Sequence, residues 1–395
     1  MRAAFLPLST LLAGCGAALA PSEDDLTHYA GFTSIHALSA NTPTPAIAPA
    51  APTEAPASTT VRVFYGTDRT PSGQPEAERY YGDDPAGSLA LGIAEVSIPP
   101  DHRTGKLERP HLWLLRFKAD PERDVTVTDL TPTPEDAWLG AVRETGARAA
   151  FVFVHGFNNS FANAAARTAQ IAYDMDYDGV PMLFSWSSAG AALRYPRDAE
   201  TVEQAQEEFL RFMDLAVNEA GLEEVAVVAH SMGGRLVAAA MASVKGSDKP
   251  PFHLTQLILA APDIPRQSFG GHLGKLMPRW ADRVTLYASS RDSALALSHR
   301  YDGRVRLGEV SSGFLKRPGI DGIDVSEVPT GWDSHRYFAE EPSLLTDMHC
   351  LLSTGAPPDD RPILQPMQHE DTRWWQALSA RDVAAKGIDL SSCGG

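Results

Sequence analysis

The chain has 395 residues, 43% hydrophobic and 21% charged, an ordinary globular composition with ample length for a sizeable core. Asp and Glu number 50 against 34 Lys and Arg, and the net charge of −16 argues against the basic face that nucleic acid or an anionic lipid surface requires. Three cysteines, none in a CxxC pair, are too few for a disulfide-built scaffold and leave an odd number to explain.

The chain opens Met1-Arg2 and stays mostly apolar to Gly14. One positive charge, a short apolar run and then small residues make a secretory signal. The run falls short of the ~20 residues that span a bilayer. Its end, Leu12-Ala13-Gly14-Cys15, resembles the lipobox of bacterial lipoproteins, in which the cysteine becomes the lipidated first residue of the mature chain. Cleavage after Ala18-Leu19-Ala20 competes, but Pro21 is a poor residue to follow a cut. Gly16, rather than an acidic residue, follows Cys15, which by the same resemblance points to the outer membrane. The expectation is an exported cell-envelope lipoprotein, in the outer membrane or periplasm, held to the membrane through lipid on Cys15. Cys350 and Cys393 then remain as an even pair in an oxidising compartment, either a candidate disulfide or two free thiols.

Residues 41–57 hold five prolines among Ala and Thr, a composition that buries little and stays extended. The signal at 1–14 is therefore followed by a lipidated cysteine and tether over 15–58. Strands are expected at 61–66, at 89–98 (ended by Pro99-Pro100) and at 112–117. Further along, apolar runs at 149–154, 181–186, 225–229, 254–260, 284–288 and 323–328 alternate with helical stretches. Among the latter, Val202, Ala205, Phe209, Phe212, Met213 and Ala216 fall on one helix face. Such alternation means an α/β fold, a mostly parallel sheet covered by helices on both faces. One body over 59–360, with a C-terminal tail at 361–395 packed on it, replaces the two or three domains that about 150 residues per domain would suggest.

The central motif is Ala229-His230-Ser231-Met232-Gly233-Gly234, between the apolar strand EEVAVVA and the apolar helix RLVAAAMASV. A sharp strand-to-helix turn exposes the Ser hydroxyl, and small residues two before and two after it let neighbouring backbone approach. Ala229 replaces the usual first glycine and Gly233 keeps the second. An earlier strand closes on Val154-His155-Gly156-Phe157-Asn158-Asn159. A strand ending in His-Gly resembles the oxyanion loop of α/β-hydrolases. By that resemblance the N–H of Phe157 and the N–H of Met232 are the oxyanion donors, with His155, Gly156, His230 and Gly233 as structural support. Asn158 and Asn159 are expected to brace this loop.

A serine nucleophile needs a base, and the base needs an orienting carboxylate. In this fold the order along the chain is Ser, acid, His. His335, in GWDSHRYF after the last strand, is the expected base, with His299 its nearest rival. Asp292, after VTLYASSR, is the preferred acid, and Asp263, in LILAAPD, is the alternative.

Together these residues resemble the α/β-hydrolase superfamily, and more closely the bacterial group of esterase- or lipase-like alpha/beta hydrolases of unknown function. The pieces that carry the likeness are VFYGTDR at 63–69, GIAEVSIP at 92–99, FVHGFNNSF at 153–161, FSW at 184–186, AHSMGG at 229–234, AAPD at 260–263 and HRYF at 335–338. The resemblance implies a carboxylic ester hydrolase acting on a small-molecule or lipid ester. No metal or cofactor is expected, since the sequence has no HExxH, clustered Cys/His or Walker-type loop. Two other readings stay open: a non-catalytic lipoprotein using the fold as a binding platform, and an acyltransferase or thioesterase. The short segment at 264–283 leaves no room for a large lid, and stretches 187–195 and 267–280 are the expected site walls, although Met277 and Trp280 could equally be core.

Overall fold

The computed structural model describes residues 57–110, 118–191, 194–244, 249–310, 314, 317–329, 335–389 and 393. The expected signal, Cys15, nearly all of the tether and the expected strand at 112–117 lie outside the described residues. Among the described residues one sheet contains β1 (Thr59–Pro71), β2 (Tyr81–Ile98), β3 (Thr126–Pro132), β4 (Ala149–Val154), β5 (Val180–Ser185), β6 (Glu224–His230), β7 (Leu254–Ala260), β8 (Ala281–Ala288), β9 (Ile320–Asp324), β10 (Leu364–His369) and β11 (Thr372–Ala377). The order across it is β10-β11-β9-β8-β7-β6-β4-β5-β1-β2-β3. From β11 to β1 every neighbouring pair is parallel. The outer pairs β10–β11, β1–β2 and β2–β3 are antiparallel.

The helices are α1 (Glu135–Glu144), α2 (Phe161–Asp174), α3 (Tyr195–Thr201), α4 (Gln206–Asp214), α5 (Met232–Ser243), α6 (Arg266–Ser268), α7 (Gly274–Leu276), α8 (Ser293–Asp302), α9 (Tyr337–Glu340), α10 (Pro342–Thr354) and α11 (Ala380–Lys386). Side chains alternate across a strand, so apolar runs feed two cores at once. Tyr65, Phe151, Phe153 and Val228 face Ala165 and Ala169 of α2 and Leu344 and Leu351 of α10. Phe64, Val152, Val154 and Val227 face Phe212 of α4 and Leu236 and Val237 of α5. Local chemistry sets the helix ends. The Ser160 hydroxyl accepts from the Asn163 N–H at 3.2 Å to start α2. Pro342 opens α10, and Gly355, in the left-handed region at φ 65°, closes it.

The chain moves from β4 outward to β5, then crosses back to β6 on the other side of β4 and continues to β7, β8 and β9. The winding therefore reverses between β4 and β6. The carboxyl ends of strands at such a reversal are where open α/β sheets bind ligands. His155 and Ser231 follow these two strand ends directly.

The structure extends one expectation, shifts another and adds a strand. The tail at 361–395 does more than pack on the domain, because β10 and β11 extend the sheet itself, with Trp375 opposite Ile323. Its polar, largely exposed β10 contains Pro366, which an edge strand tolerates and which hid the strand. The last strand before His335 lies at Ile320–Asp324, earlier than 323–328. β3, TVTDLTP, was not expected at all, being a half-exposed edge strand without an apolar run. Cys350, buried in α10, is disulfide-bonded to Cys393, with the Cα atoms 4.9 Å apart.

Candidate active site

β6 ends at His230 and α5 begins at Met232, so a single residue turns the chain. Ser231 does so at φ 54° and ψ −120°, a conformation that costs a non-glycine residue on the order of 1–3 kcal/mol. Backbone bonds hold it there. The Ser231 N–H donates to the Ala260 carbonyl at 3.0 Å, and its own carbonyl accepts from Gly234 at 3.0 Å and Asp263 at 3.1 Å. Two glycines make room. A Cβ on Gly156 would sit 2.8 Å from the Ser231 Cβ and 2.9 Å from the His230 Nδ1. A Cβ on Gly233 would run into the Val154 carbonyl and come within 2.8 Å of that of His155.

His335 arrives in the loop after β9, and its Nδ1 lies 2.7 Å from the Oδ2 of Asp292. Asp292 is the N-cap of α8: its Oδ1 accepts from the Ala294 N–H at 3.1 Å and the Leu295 N–H at 3.0 Å. The carboxylate is fully buried, and both of its oxygens are engaged, so it is held in one orientation. Because a carboxylate only accepts, Nδ1 of the neutral His335 ring carries the proton, which leaves Nε2 as the lone-pair nitrogen. Asp263 is engaged elsewhere, by Ser298 at 2.7 Å, the Tyr195 hydroxyl at 2.8 Å and the buried Arg306 at 2.8 Å. His299 pairs with Glu309 at 3.3 Å.

The other two histidines are packing groups. His155 stacks on Trp186 at 5.1 Å between ring centroids, and its Nδ1–H donates to the Gly156 carbonyl at 2.8 Å. Burial, then the neighbouring Arg69 charge, pushes it down to about 3, so it stays neutral. His230 stacks on Phe338 at 4.5 Å and donates from Nε2 to the backbone carbonyl of His335 at 3.0 Å. Burial, and secondarily His335, drives it well below the ordinary histidine range. The residue before Ser231 thus ties the turn directly to the His335 loop.

Arg69 and Asp198, which stand outside the expected site, both organise the loop after β4. Arg69 is buried and donates to the Asn159 carbonyl at 2.8 Å, the Ser188 carbonyl at 3.0 Å and the Ser185 hydroxyl at 2.9 Å. Burial pulls its guanidinium down to about 10, against the pull of Asp68 and Asp198. Asp198, fully buried in α3, accepts from the Ala189 N–H at 2.8 Å and the Ser188 hydroxyl at 2.5 Å. Asn159 donates to the carbonyls of Gly156 and Phe157 at 3.1 and 3.0 Å, the bracing expected of it. The one signal for Arg69 was its place in the VFYGTDR piece, where a polar run ends a buried strand.

Ser231, His335 and Phe157 line one cavity of about 450 Å³, walled by Tyr195 and by Leu295 and Tyr301 of α8. Leu297 (67% exposed) and Tyr301 (62% exposed) form an apolar rim. Of the expected walls, 187–195 contributes Tyr195, 267–280 contributes none of the lining, Met277 and Trp280 are core, and α8 supplies the rest. Met232 is buried as the first residue of α5. Among the described residues no group of His, Cys, Asp or Glu could hold a metal ion.

Residues 132–353, from the end of β3 into α10, match the family described as "Alpha/beta hydrolase of unknown function (DUF900)". The chain belongs to this family. The sheet topology agrees, and the protein is an α/β hydrolase. No curated protein matches it. Solved structures it resembles include a protein of Agrobacterium vitis S4, 13% identical over 74% of this chain and 95% of that one, with TM-score 0.31. The butyrate-bound thermophilic esterase Est2 of Thermogutta terrifontis is 12% identical over 49% and 75%, with TM-score 0.26. The phospholipase PlaB of Legionella pneumophila, in complex with thio-NAD, is 12% identical over 58% and 67%, with TM-score 0.33.

Proposed function

We propose that the protein is a serine hydrolase that cleaves carboxylic esters, with Ser231 as nucleophile, His335 as base and Asp292 as the orienting acid. The observation that carries this reading is the 2.7 Å His335–Asp292 pair opening onto the same cavity as the strained Ser231. In the reaction, the Ser231 Oγ attacks the ester carbonyl carbon while Nε2 of His335 takes its proton. The buried Asp292 carboxylate stabilises the imidazolium that forms. Negative charge on the carbonyl oxygen is met by the N–H groups of Phe157 and Met232, each such donor contributing roughly 3–4 kcal/mol in comparable sites. The C–O bond to the alcohol then breaks, with the proton on Nε2 going to the leaving oxygen. Water, deprotonated by the same nitrogen, releases the acid and restores Ser231.

The substrate is a small-molecule or lipid ester whose apolar part enters past Leu297 and Tyr301. We further propose that the mature chain begins at a lipidated Cys15 and works in the cell envelope, with the Pro-rich tether spacing the hydrolase from the membrane. Turnover of p-nitrophenyl butyrate tests the chemistry. His335→Ala should lower kcat by ~10³-fold or more, as in other triads; unchanged turnover would remove His335 from its role.

A further inference from the structure

A second, smaller recess of about 170 Å³ lies against His335. It shares Phe157, Ala294 and His335 with the apolar cavity and has Leu107, Phe153 and Phe338 in its lining, but unlike that cavity it gathers several cationic and amide side chains. Three arginines, Arg109, Arg167 and Arg336, line it, and among the described residues lining it none is acidic. Asn158, Asn159 and Asn163 supply further polar groups. This is an unusual expenditure of positive charge in a chain of net charge −16.

Gathering like charges in a partly buried space is unfavourable, by kcal/mol amounts at short range. Arg109 registers the cost: burial, then Arg167, then Arg336, draw its guanidinium down to about 10. Carboxylates act on this cluster from outside the recess lining: Glu78 and Glu340 act against the depression of Arg109. Glu340 pairs with Arg167 at 2.9 Å, and Gln170 accepts from the same side chain at 2.8 Å, which fixes Arg167 in place. Arg109 donates to the side-chain oxygen of Asn163, on the helix that also carries Arg167. Guanidinium groups are suited to carboxylate and phosphate oxygens because their N–H groups form a planar fork. At about 170 Å³ the recess has room for such a head group.

We propose that this recess binds an anionic group of the substrate, a carboxylate or a phosphate, while the apolar arm fills the larger cavity. The preferred substrates are then amphiphilic esters with a negative charge close to the scissile bond. This rests on the serine-hydrolase reading of Ser231 and His335 and adds the charge of the substrate to it.

Two matched ester pairs test the idea and separate the two anions. One is butyryl-glycolate against its methyl ester; the other is 1-butyryl-glycerol 3-phosphate against 1-monobutyrin. The ratio of kcat/KM, anionic over neutral, should exceed ten in at least one pair, and that pair identifies the anion. The ratio should fall at least tenfold in Arg109→Gln and in Arg336→Gln, with Arg109→Lys retaining part of it because the charge remains. A ratio at or below one in both pairs, or one that these variants leave unchanged, overturns the proposal. Calorimetric binding of the same esters to the Ser231→Ala protein gives a readout without turnover. The anionic member should bind more tightly, and Arg109→Gln in that background should abolish the difference; equal affinities overturn the proposal. Neutral esters hydrolysed through Ser231 without anionic preference would sink this inference alone. Anionic preference in binding, with no ester turned over, would sink the serine-hydrolase reading and with it the substrate preference, leaving the recess as an anion site alone.

Discussion

Asp292→Asn separates the two tasks of this carboxylate. Its Oδ1 caps α8 through Ala294 and Leu295, and its Oδ2 meets His335 at 2.7 Å. Asn is as good an N-cap as Asp, so with its oxygen in the Oδ1 place the helix start survives and stability changes by about 1 kcal/mol or less. Its amide nitrogen then faces Nδ1 of His335 and can only donate. The imidazole proton is driven to Nε2, and that nitrogen can no longer accept the proton of Ser231. The matching change in other triads costs about 10⁴ in kcat, or roughly 5 kcal/mol at 1.36 kcal/mol per decade. Asp263→Asn should do the reverse. It strips a carboxylate from Arg306, which is 1% exposed, leaving Asp302, at 2.9 Å, as the acidic group paired with its guanidinium among the described residues. Breaking a buried pair in this way costs about 3 kcal/mol of stability, while the Asp292–His335 bond stays intact. Urea unfolding and kcat on p-nitrophenyl butyrate, measured on both variants, give the comparison. More than a tenth of kcat retained in Asp292→Asn, or a ~10³-fold loss in a fully folded Asp263→Asn, would refute the assignment of the acid.

Gly233→Ala should cost about 1–3 kcal/mol and reduce kcat, because the new methyl meets the backbone carbonyls of Val154 and His155 at the end of a central strand; unchanged Tm and turnover would show that the close approach is not needed. His155 sits at about 3 when folded against 6.5 for the free side chain. Above pH 6.5 both states are neutral; as the pH falls from there toward 3, the unfolded chain takes up a proton that the folded ring refuses, so stability is lost, by about 2 kcal/mol at pH 5. Unfolding free energies of the wild type should therefore fall more steeply between pH 7 and 5 than those of His155→Gln, and parallel curves would contradict the cause given for the depressed value. Cys393→Ser opens a loop spanning 43 residues of sequence and should destabilise the fold by about 4 kcal/mol on loop entropy. A urea midpoint indifferent to reductant in the wild type would contradict it.

The central parallel strands β4 to β8 were legible because burial on both faces makes them largely apolar runs, as in AAFVFV; β9, IDGID, was misplaced for want of one. Edge strands were not legible. β3 and β10 are half solvated, and β10 carries Pro366. Ser231, His335 and Asp292 stand out as candidates in the sequence because each follows a strand end in the order expected of this fold. Arg69 and Asp198 do not, since an arginine in a strand and an aspartate in the helix YPRDAET look like surface residues until the chain is folded. Their partners are distant: Arg69 reaches Asn159 across 90 residues of sequence. The arginines of the smaller recess come from three separate segments, so no local pattern announces them. The wall built by α8 was missed for a similar reason, because ALALSH reads as an ordinary amphipathic helix while Leu297 and Tyr301 in fact face outward at the cavity rim.

The most direct test of the serine-hydrolase assignment is reaction with a fluorophosphonate, followed by intact-mass measurement and peptide mapping. The wild type should gain one adduct, placed on Ser231, while Ser231→Ala gains none and Asp292→Asn reacts far more slowly. A wild-type protein that stays unmodified, or an adduct that persists in Ser231→Ala, would contradict it.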